Sequence, residues 1–146
     1  MAWLFIVIPI LVVMALNLPF GQGYRKLALP AALILAVVQV LLIVMPTEMM
    51  LSFGMCPLCP FTFRTLDALG KIMMIAIGIV AFSAVIPGWH LTESAERKFD
   101  FANLIIISMA GMNGIILSGD LFTLYVFLEI VSVSSFILIA MDKGKA

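Results

Sequence analysis

Charged residues are scarce in this chain. Of its 146 residues, 8 are Lys or Arg and 8 are Asp or Glu, so the formal net charge is zero. Without an excess of basic residues the chain has no electrostatic surface for nucleic acid, which excludes nucleic-acid binding. With one histidine and two cysteines, it also cannot build a His/Cys metal cage or a framework of several disulfides from its own residues. The sequence therefore predicts neither a metal site nor a cofactor within this chain.

Hydrophobic residues dominate instead, at 64% of the chain with a mean hydropathy of +1.26. A helix needs ~20 apolar residues to cross ~30 Å of hydrocarbon. Five segments meet that length, at about 3–20, 27–47, 69–88, 101–118 and 121–141. Their apolar runs are continuous and longer than a barrel strand, which favours helices. The sequence therefore predicts an all-α membrane protein with five transmembrane helices in a single domain.

The basic residues predict the orientation of these helices. Six of them fall on one side of the membrane: Arg25, Lys26, Arg97, Lys98, Lys143 and Lys145. The other side has Arg64, with Lys71 at the mouth of the third span. The positive-inside rule then puts the N-terminus outside and the C-terminus in the cytoplasm, as in a multi-pass protein of the cell's inner membrane. The charged segment 94–100 is interpreted as a solvated loop.

Glu129 is the acid inside the fifth predicted span, eight residues or ~12 Å from its start. A carboxylate at that depth costs ~2.5 to 3.5 kcal/mol on insertion scales, so it should face protein or water and not lipid. At 100° per residue, Tyr125, Ser132 and Ser135 lie on the same side of the helix. This polar stripe predicts a proton path through Glu129, Tyr125 and Ser132. The alternative is a structural acid that holds helices together by hydrogen bonds.

Lys71 is the basic residue of this chain that could pair with Glu129. On the predicted topology it lies nearer the outer surface by roughly two helical turns, so a direct contact is not expected, although a water bridge would couple the two. We include Lys71 as a candidate for proton transfer. A lysine whose ammonium reaches the membrane surface from a helix end is the alternative interpretation.

Other polar and small residues inside the spans predict packing. Gln39 and Asn113 each need a hydrogen-bond partner in lipid, which favours interhelical hydrogen bonds over a place in a proton path. Pro9 lies inside a helical stretch, where a neighbouring helix can satisfy the freed carbonyl. Small residues at four-residue spacing in the fourth span predict close approach of a neighbouring helix. They are Ala110, Gly114 and Ser118, with Gly111 adjacent.

Cys56 and Cys59 form a CxxC pair in the apolar connection before the third span. Two cysteines at this spacing can exchange disulfides, which indicates a quinone-linked membrane thiol-disulfide oxidoreductase as an alternative function. Membrane enzymes of that kind carry a second cysteine pair, which this chain lacks. A structural disulfide or an uninvolved pair is therefore favoured, and a scaffold subunit that transports nothing is a third possibility.

The run from Gly119 to Glu129, followed by Ser132 to Ala140, resembles a known family. It is similar to the antiporter-like membrane subunits of Mrp-type cation/proton antiporters, membrane-bound hydrogenases and respiratory complex I. The Gly-Asp-Leu-Phe motif at 119–122 makes the match closer to the Mrp and hydrogenase branch than to the quinone-reductase subunits. The resemblance implies that Glu129 is the family's essential glutamate of helix five, in a central proton axis. Asp120, inside the motif, is a further candidate for proton transfer.

The chain departs from the family pattern in two respects. Thr123 stands where the family often has Asn. Family members run to about fourteen helices, and the lysine that pairs with the helix-five glutamate lies on a later helix, beyond Ala146. The resemblance thus implies either a partner chain that supplies the remaining antiporter helices or a truncated product.

The function that the resemblance implies is translocation of protons or sodium ions. The chain would be a membrane subunit of a multisubunit Mrp-type antiporter or of a redox-driven complex, such as a membrane-bound hydrogenase or a complex I-like enzyme. Its partners would be other membrane subunits and the lipid bilayer. It would perform no redox chemistry itself.

Overall fold

The chain forms five α-helices in the computed structural model, which describes residues 3–18, 27–44, 67–91 and 94–143. They are α1 (Leu4–Asn17), α2 (Ala28–Val44), α3 (Ala68–Leu91), α4 (Ala95–Leu117) and α5 (Leu121–Lys143). Each helix lies over one of the five predicted apolar segments, so the all-α prediction is confirmed. Three of them, α3, α4 and α5, are long and apolar enough to cross a membrane, and α1 and α2 are shorter apolar helices of 14 and 17 residues.

The start of α4 differs from the prediction. The segment 94–100 is not a loop, because α4 begins at Ala95. The Ser94 hydroxyl accepts a hydrogen bond from the Arg97 backbone N–H at 3.3 Å, and Glu96 lies in the positively polarised first turn. Serine at the cap and an acid just after it are a helix-start signal, which the mixed charges of this segment concealed. Residues 94–97 are exposed, so the segment is solvated as predicted but helical.

Helix α4 is the centre of the fold, since it packs against each of the other four helices. In its most apolar stretch 56% of the residues are buried, against 22% in α3 and 6% in α5. Its buried side includes two asparagines and two glycines, at positions 103, 111, 113 and 114. Polar and small residues therefore share the interior with large apolar ones, and small and polar residues at helix contacts are typical of packing in lipid.

The small residues of α4 bring α5 close. A methyl group added to Gly111 would come within 2.7 Å of Val131 Cγ2, and one added to Gly114 would overlap the ring of Phe127. Both contacts are too short for a real side chain, so the close approach of the two helices requires glycine here. The predicted packing role of this stretch is confirmed for both glycines.

Two carboxamides join four helices in the core. Gln39 is 3% exposed and Asn113 is fully buried. The Gln39 Nε2 donates to the Met74 carbonyl at 2.9 Å and to Asn113 Oδ1 at 3.0 Å. The Asn113 Nδ2 donates to Gln39 Oε1 at 2.8 Å and to the Phe5 carbonyl at 3.1 Å. The predicted interhelical hydrogen bonds are therefore present, and they link α1, α2, α3 and α4.

The cysteine pair cannot be placed in this fold. Cys56 and Cys59 lie outside the described residues, so their thiol chemistry stays a prediction.

Candidate functional site

Glu129 lies on the side of α5 that faces away from α4. The α4-facing side is marked by Phe127 and Val131, which contact the two glycines, and by Thr123 and Ser134, which are 1% and 4% exposed. At 100° per residue, Glu129 is roughly opposite the middle of that side. Its side chain is accordingly exposed.

The depth of Glu129 follows from the same contacts. Its position lies between Phe127, which packs against Gly114, and Val131, which packs against Gly111. Glu129 is therefore level with the turn 111–114 of α4. That turn also contains Asn113, whose amide points to α1 and α2. The acid and the carboxamide pair thus lie at one depth, joined through α4 and without direct contact.

Two hydroxyl side chains share the exposed side with Glu129. Tyr125, one turn earlier, is 61% exposed and its side chain interacts with the Glu129 carboxylate. Ser132 is also exposed. Ser135 differs, because its hydroxyl donates to the Val131 carbonyl of its own helix at 2.8 Å. The structure therefore brings together Tyr125, Glu129 and Ser132 on one helix side. The hydroxyl proton of Ser135 is instead donated to the backbone of its own helix.

Lys71 lies in the first turn of α3, where its backbone N–H donates to the Asp67 carbonyl at 3.0 Å. Near this end of α3, the buried Met74 packs with Leu117 of α4, and Phe127 of α5 packs against the same cluster. The expectation that Lys71 and Glu129 make no direct contact stays a prediction.

Asp120 begins α5. Its Oδ1 accepts a hydrogen bond from the Thr123 backbone N–H at 2.7 Å, and its Oδ2 accepts one from the Thr123 hydroxyl, also at 2.7 Å. A carboxylate that binds a first-turn N–H stabilises the helix start and its dipole. Sequence reasoning missed this capping role, although an acid three residues before a threonine at a helix start indicates it. Thr123, the departure from the family pattern, is thus the residue that Asp120 binds.

The chemistry of this surface is that of a single acid with hydroxyl neighbours. A carboxylate can hold a proton or a cation, and the adjacent hydroxyls can donate to it when it is ionised and accept from it when it is protonated. An exposed acid midway along an apolar helix is costly against lipid, at ~2.5 to 3.5 kcal/mol. Such a penalty is removed when protein or water covers the residue.

Three long apolar helices packed with two shorter ones define this chain as a helical membrane protein. Comparison with known proteins shows what the chain is similar to. It is 33% identical over 136 residues to NADH-quinone oxidoreductase subunit N of Geobacillus kaustophilus, a match that covers 91% of this chain. It is 31% identical to subunit N of Desulforudis audaxviator over 98% of the chain, and 33% identical to a Na(+)/H(+) antiporter subunit of Alkalihalophilus pseudofirmus over 54%. Over most of its length the chain matches the antiporter-like membrane subunit family, which confirms the predicted resemblance.

The matches cover only part of each relative. The chain spans 26% and 30% of the two subunit N proteins and 16% of the Na(+)/H(+) antiporter protein. Identity to both kinds of relative is similar, so these relatives do not distinguish the Mrp and hydrogenase branch from the quinone-reductase subunits, and the predicted preference stays a prediction. No family model and no solved structure matches the chain.

Proposed function

We propose that this chain is the N-terminal helical part of an ion-translocating subunit in a multisubunit membrane complex, with Glu129 as its proton-binding residue. The observation that carries the proposal is the position of Glu129, which is exposed midway along α5 and opposite the side that packs on α4. A purely structural acid would bind a neighbouring helix of its own bundle. Glu129 instead faces outward, beside the Tyr125 side chain.

The proposal includes further helices that cover the exposed side of α5. The chain spans about a quarter to a third of its subunit N relatives, so the relatives contain much more polypeptide than these five helices. An acid left against lipid would cost ~2.5 to 3.5 kcal/mol, which favours protein or water over it. In the intact subunit all five helices cross the inner membrane, with the N-terminus outside.

Translocation would depend on the charge near Glu129. A cation within a few ångströms stabilises the ionised carboxylate, and its departure favours protonation. A lysine on one of the covering helices would supply that cation. Tyr125 and Ser132 would pass the proton to and from the carboxylate, and Lys71 is a further candidate along the path. Asp120 would act instead as the cap of α5, because both of its oxygens accept hydrogen bonds from Thr123. The chain itself would carry out no redox step.

The test is Glu129→Gln in the complete complex, with ion transport measured in sealed vesicles. Glutamine keeps the shape of the side chain but cannot release a proton, so we expect transport to fall to background while the complex assembles normally. Ser135→Ala is the matched control on the same helix, because the serine hydroxyl bonds only to its own backbone in the described structure. It should leave transport unchanged.

Normal transport by Glu129→Gln would refute the proposal. If Glu129→Gln transports normally but the complex fails to assemble without this chain, the chain is a scaffold that holds its partners in place. Loss of assembly in Glu129→Gln itself would instead assign the acid a structural role.

A further inference from the structure

We propose that Asn113 is a positioning residue for Glu129 and that it works as one unit with Pro9 and Gln39. Asn113 supplies the hydrogen bond that Pro9 cannot make, and it thereby holds the turn of α4 against which the Glu129 turn of α5 packs. The proposal rests on the proposed function of Glu129, but it can be tested separately.

Pro9 creates the need for this hydrogen bond. In an α-helix the N–H of residue 9 would donate to the carbonyl of residue 5, and proline has no N–H. Pro9 lies inside α1, so the Phe5 carbonyl loses its helical donor. The Asn113 Nδ2 donates to that carbonyl at 3.1 Å. A side chain on α4 therefore replaces a backbone donor missing from α1.

The carboxamide pair fixes the orientation of Asn113. The two Nε2 protons of Gln39 go to Met74 and Asn113, and the two Nδ2 protons of Asn113 go to Gln39 and Phe5. The Met74 and Phe5 partners are carbonyls, which only accept, so neither amide can rotate by 180° without facing oxygen to oxygen. All four N–H groups are used, which leaves no amide proton free for relay. The cluster is suited to holding helices rather than to conducting protons.

The turn of α4 that contains Asn113 is also the turn against which α5 packs. Asn113 lies between Gly111 and Gly114, whose missing side chains let Val131 and Phe127 approach. Glu129 lies between these two α5 residues. A displacement of the turn 111–114 would therefore move the Glu129 turn with it, since glycine contacts this close leave no space to absorb a shift.

The test is Asn113→Leu in the complete complex, alone and together with Pro9→Ala. Leucine has a similar size but cannot donate to the Phe5 carbonyl, whereas alanine at position 9 restores the backbone N–H. Interhelical hydrogen bonds of this kind correspond to roughly a three- to tenfold effect, so we expect transport to fall by about that factor in Asn113→Leu. Pro9→Ala restores only the donor to the Phe5 carbonyl, and not the Gln39–Asn113 hydrogen bonds, so it should recover part of this loss in the double variant.

A second measurement separates positioning from simple stability. The rate at which a membrane-soluble carbodiimide labels Glu129 depends on where that carboxyl lies, and it needs no transport. Asn113→Leu should change the labelling rate of the folded complex, and Pro9→Ala should reverse part of that change. Asn103→Leu is the matched control on α4, because Asn103 is buried and its Oδ1 has no hydrogen-bond partner among the described residues. It should leave both readouts near wild type.

The outcomes are distinct. Additive effects of the two substitutions would overturn the proposal, as would a lower melting temperature with unchanged labelling of Glu129. If Glu129→Gln transports normally, the proposed function fails, but the labelling rates still decide whether Asn113 positions the carboxyl.

Discussion

At the scale of single residues, Asp120 shows how one carboxylate can be assigned two roles. The sequence motif makes it a candidate for proton transfer, whereas the structure engages both of its oxygens with Thr123 at the start of α5. The two roles make different demands on the side chain. A cap needs an oxygen acceptor, while proton transfer needs an ionisable group.

Asp120→Asn and Asp120→Ala separate these roles. Asparagine keeps an oxygen for the Thr123 N–H, so its effect on stability should be small. Alanine removes the cap and should lower the free energy of unfolding by about 1 kcal/mol, with a matching drop in melting temperature of the detergent-solubilised complex. We expect transport by Asp120→Asn to stay near wild type. Loss of transport in a stable Asp120→Asn complex would assign proton transfer to Asp120.

At the scale of elements, the contact between α4 and α5 decides where Glu129 lies. The two helices are joined by the short turn around Gly119 and Asp120, so they are antiparallel neighbours. Glycines at 111 and 114 then allow α5 to approach with Phe127 and Val131 inward. Because that side of α5 packs on α4, the opposite side, which carries Glu129, is exposed and can contact other partners.

Gly114→Ala tests this contact. The added methyl group would overlap the Phe127 ring, and overpacking of this kind typically costs ~1 to 3 kcal/mol. We expect a lower melting temperature of the complex and reduced transport. Phe127→Leu in the same chain should relieve the overlap and recover part of both losses. If Gly114→Ala behaved like the wild type, the two helices could not be as close as described.

At the scale of the whole molecule, the described residues leave most of the surface of α5 exposed. The most apolar stretch of α5 is only 6% buried, and large side chains such as Phe122 and Phe136 are 72% and 71% exposed. Lipid can cover apolar side chains without cost, but it cannot cover Glu129 without one. The acid rather than the exposed area is the reason to expect a protein partner on this surface.

Gentle purification from the native membrane, followed by mass identification of every co-purifying chain, tests that expectation. We expect chains that carry the remaining antiporter helices, together with an antiporter or redox module. A lone chain or a small homo-oligomer would contradict the interpretation that a partner chain supplies the remaining antiporter helices. It would favour a truncated product or thiol chemistry at Cys56 and Cys59.

Much of the candidate site could be predicted from residues alone. Glu129, Tyr125 and Ser132 were placed on one helix side by their spacing, because helical geometry is local and regular. The packing roles of Gly111 and Asn113 could be predicted because, in a membrane, small residues let helices approach closely and polar side chains form interhelical hydrogen bonds. The capping role of Asp120 and the early start of α4 were missed, since both depend on one side chain meeting one backbone N–H, which charge patterns do not reveal.

The sequence by itself determined that this is a helical membrane protein with an acid midway along an apolar helix. Those properties depend on run lengths and on the cost of charge in hydrocarbon, which are independent of how the helices meet. Only the tertiary structure decided that α4 is central, that Asn113 binds the carbonyl freed by Pro9, and that Glu129 faces outward. These helices are apolar on nearly every side, so their sequence patterns do not say which side meets which neighbour.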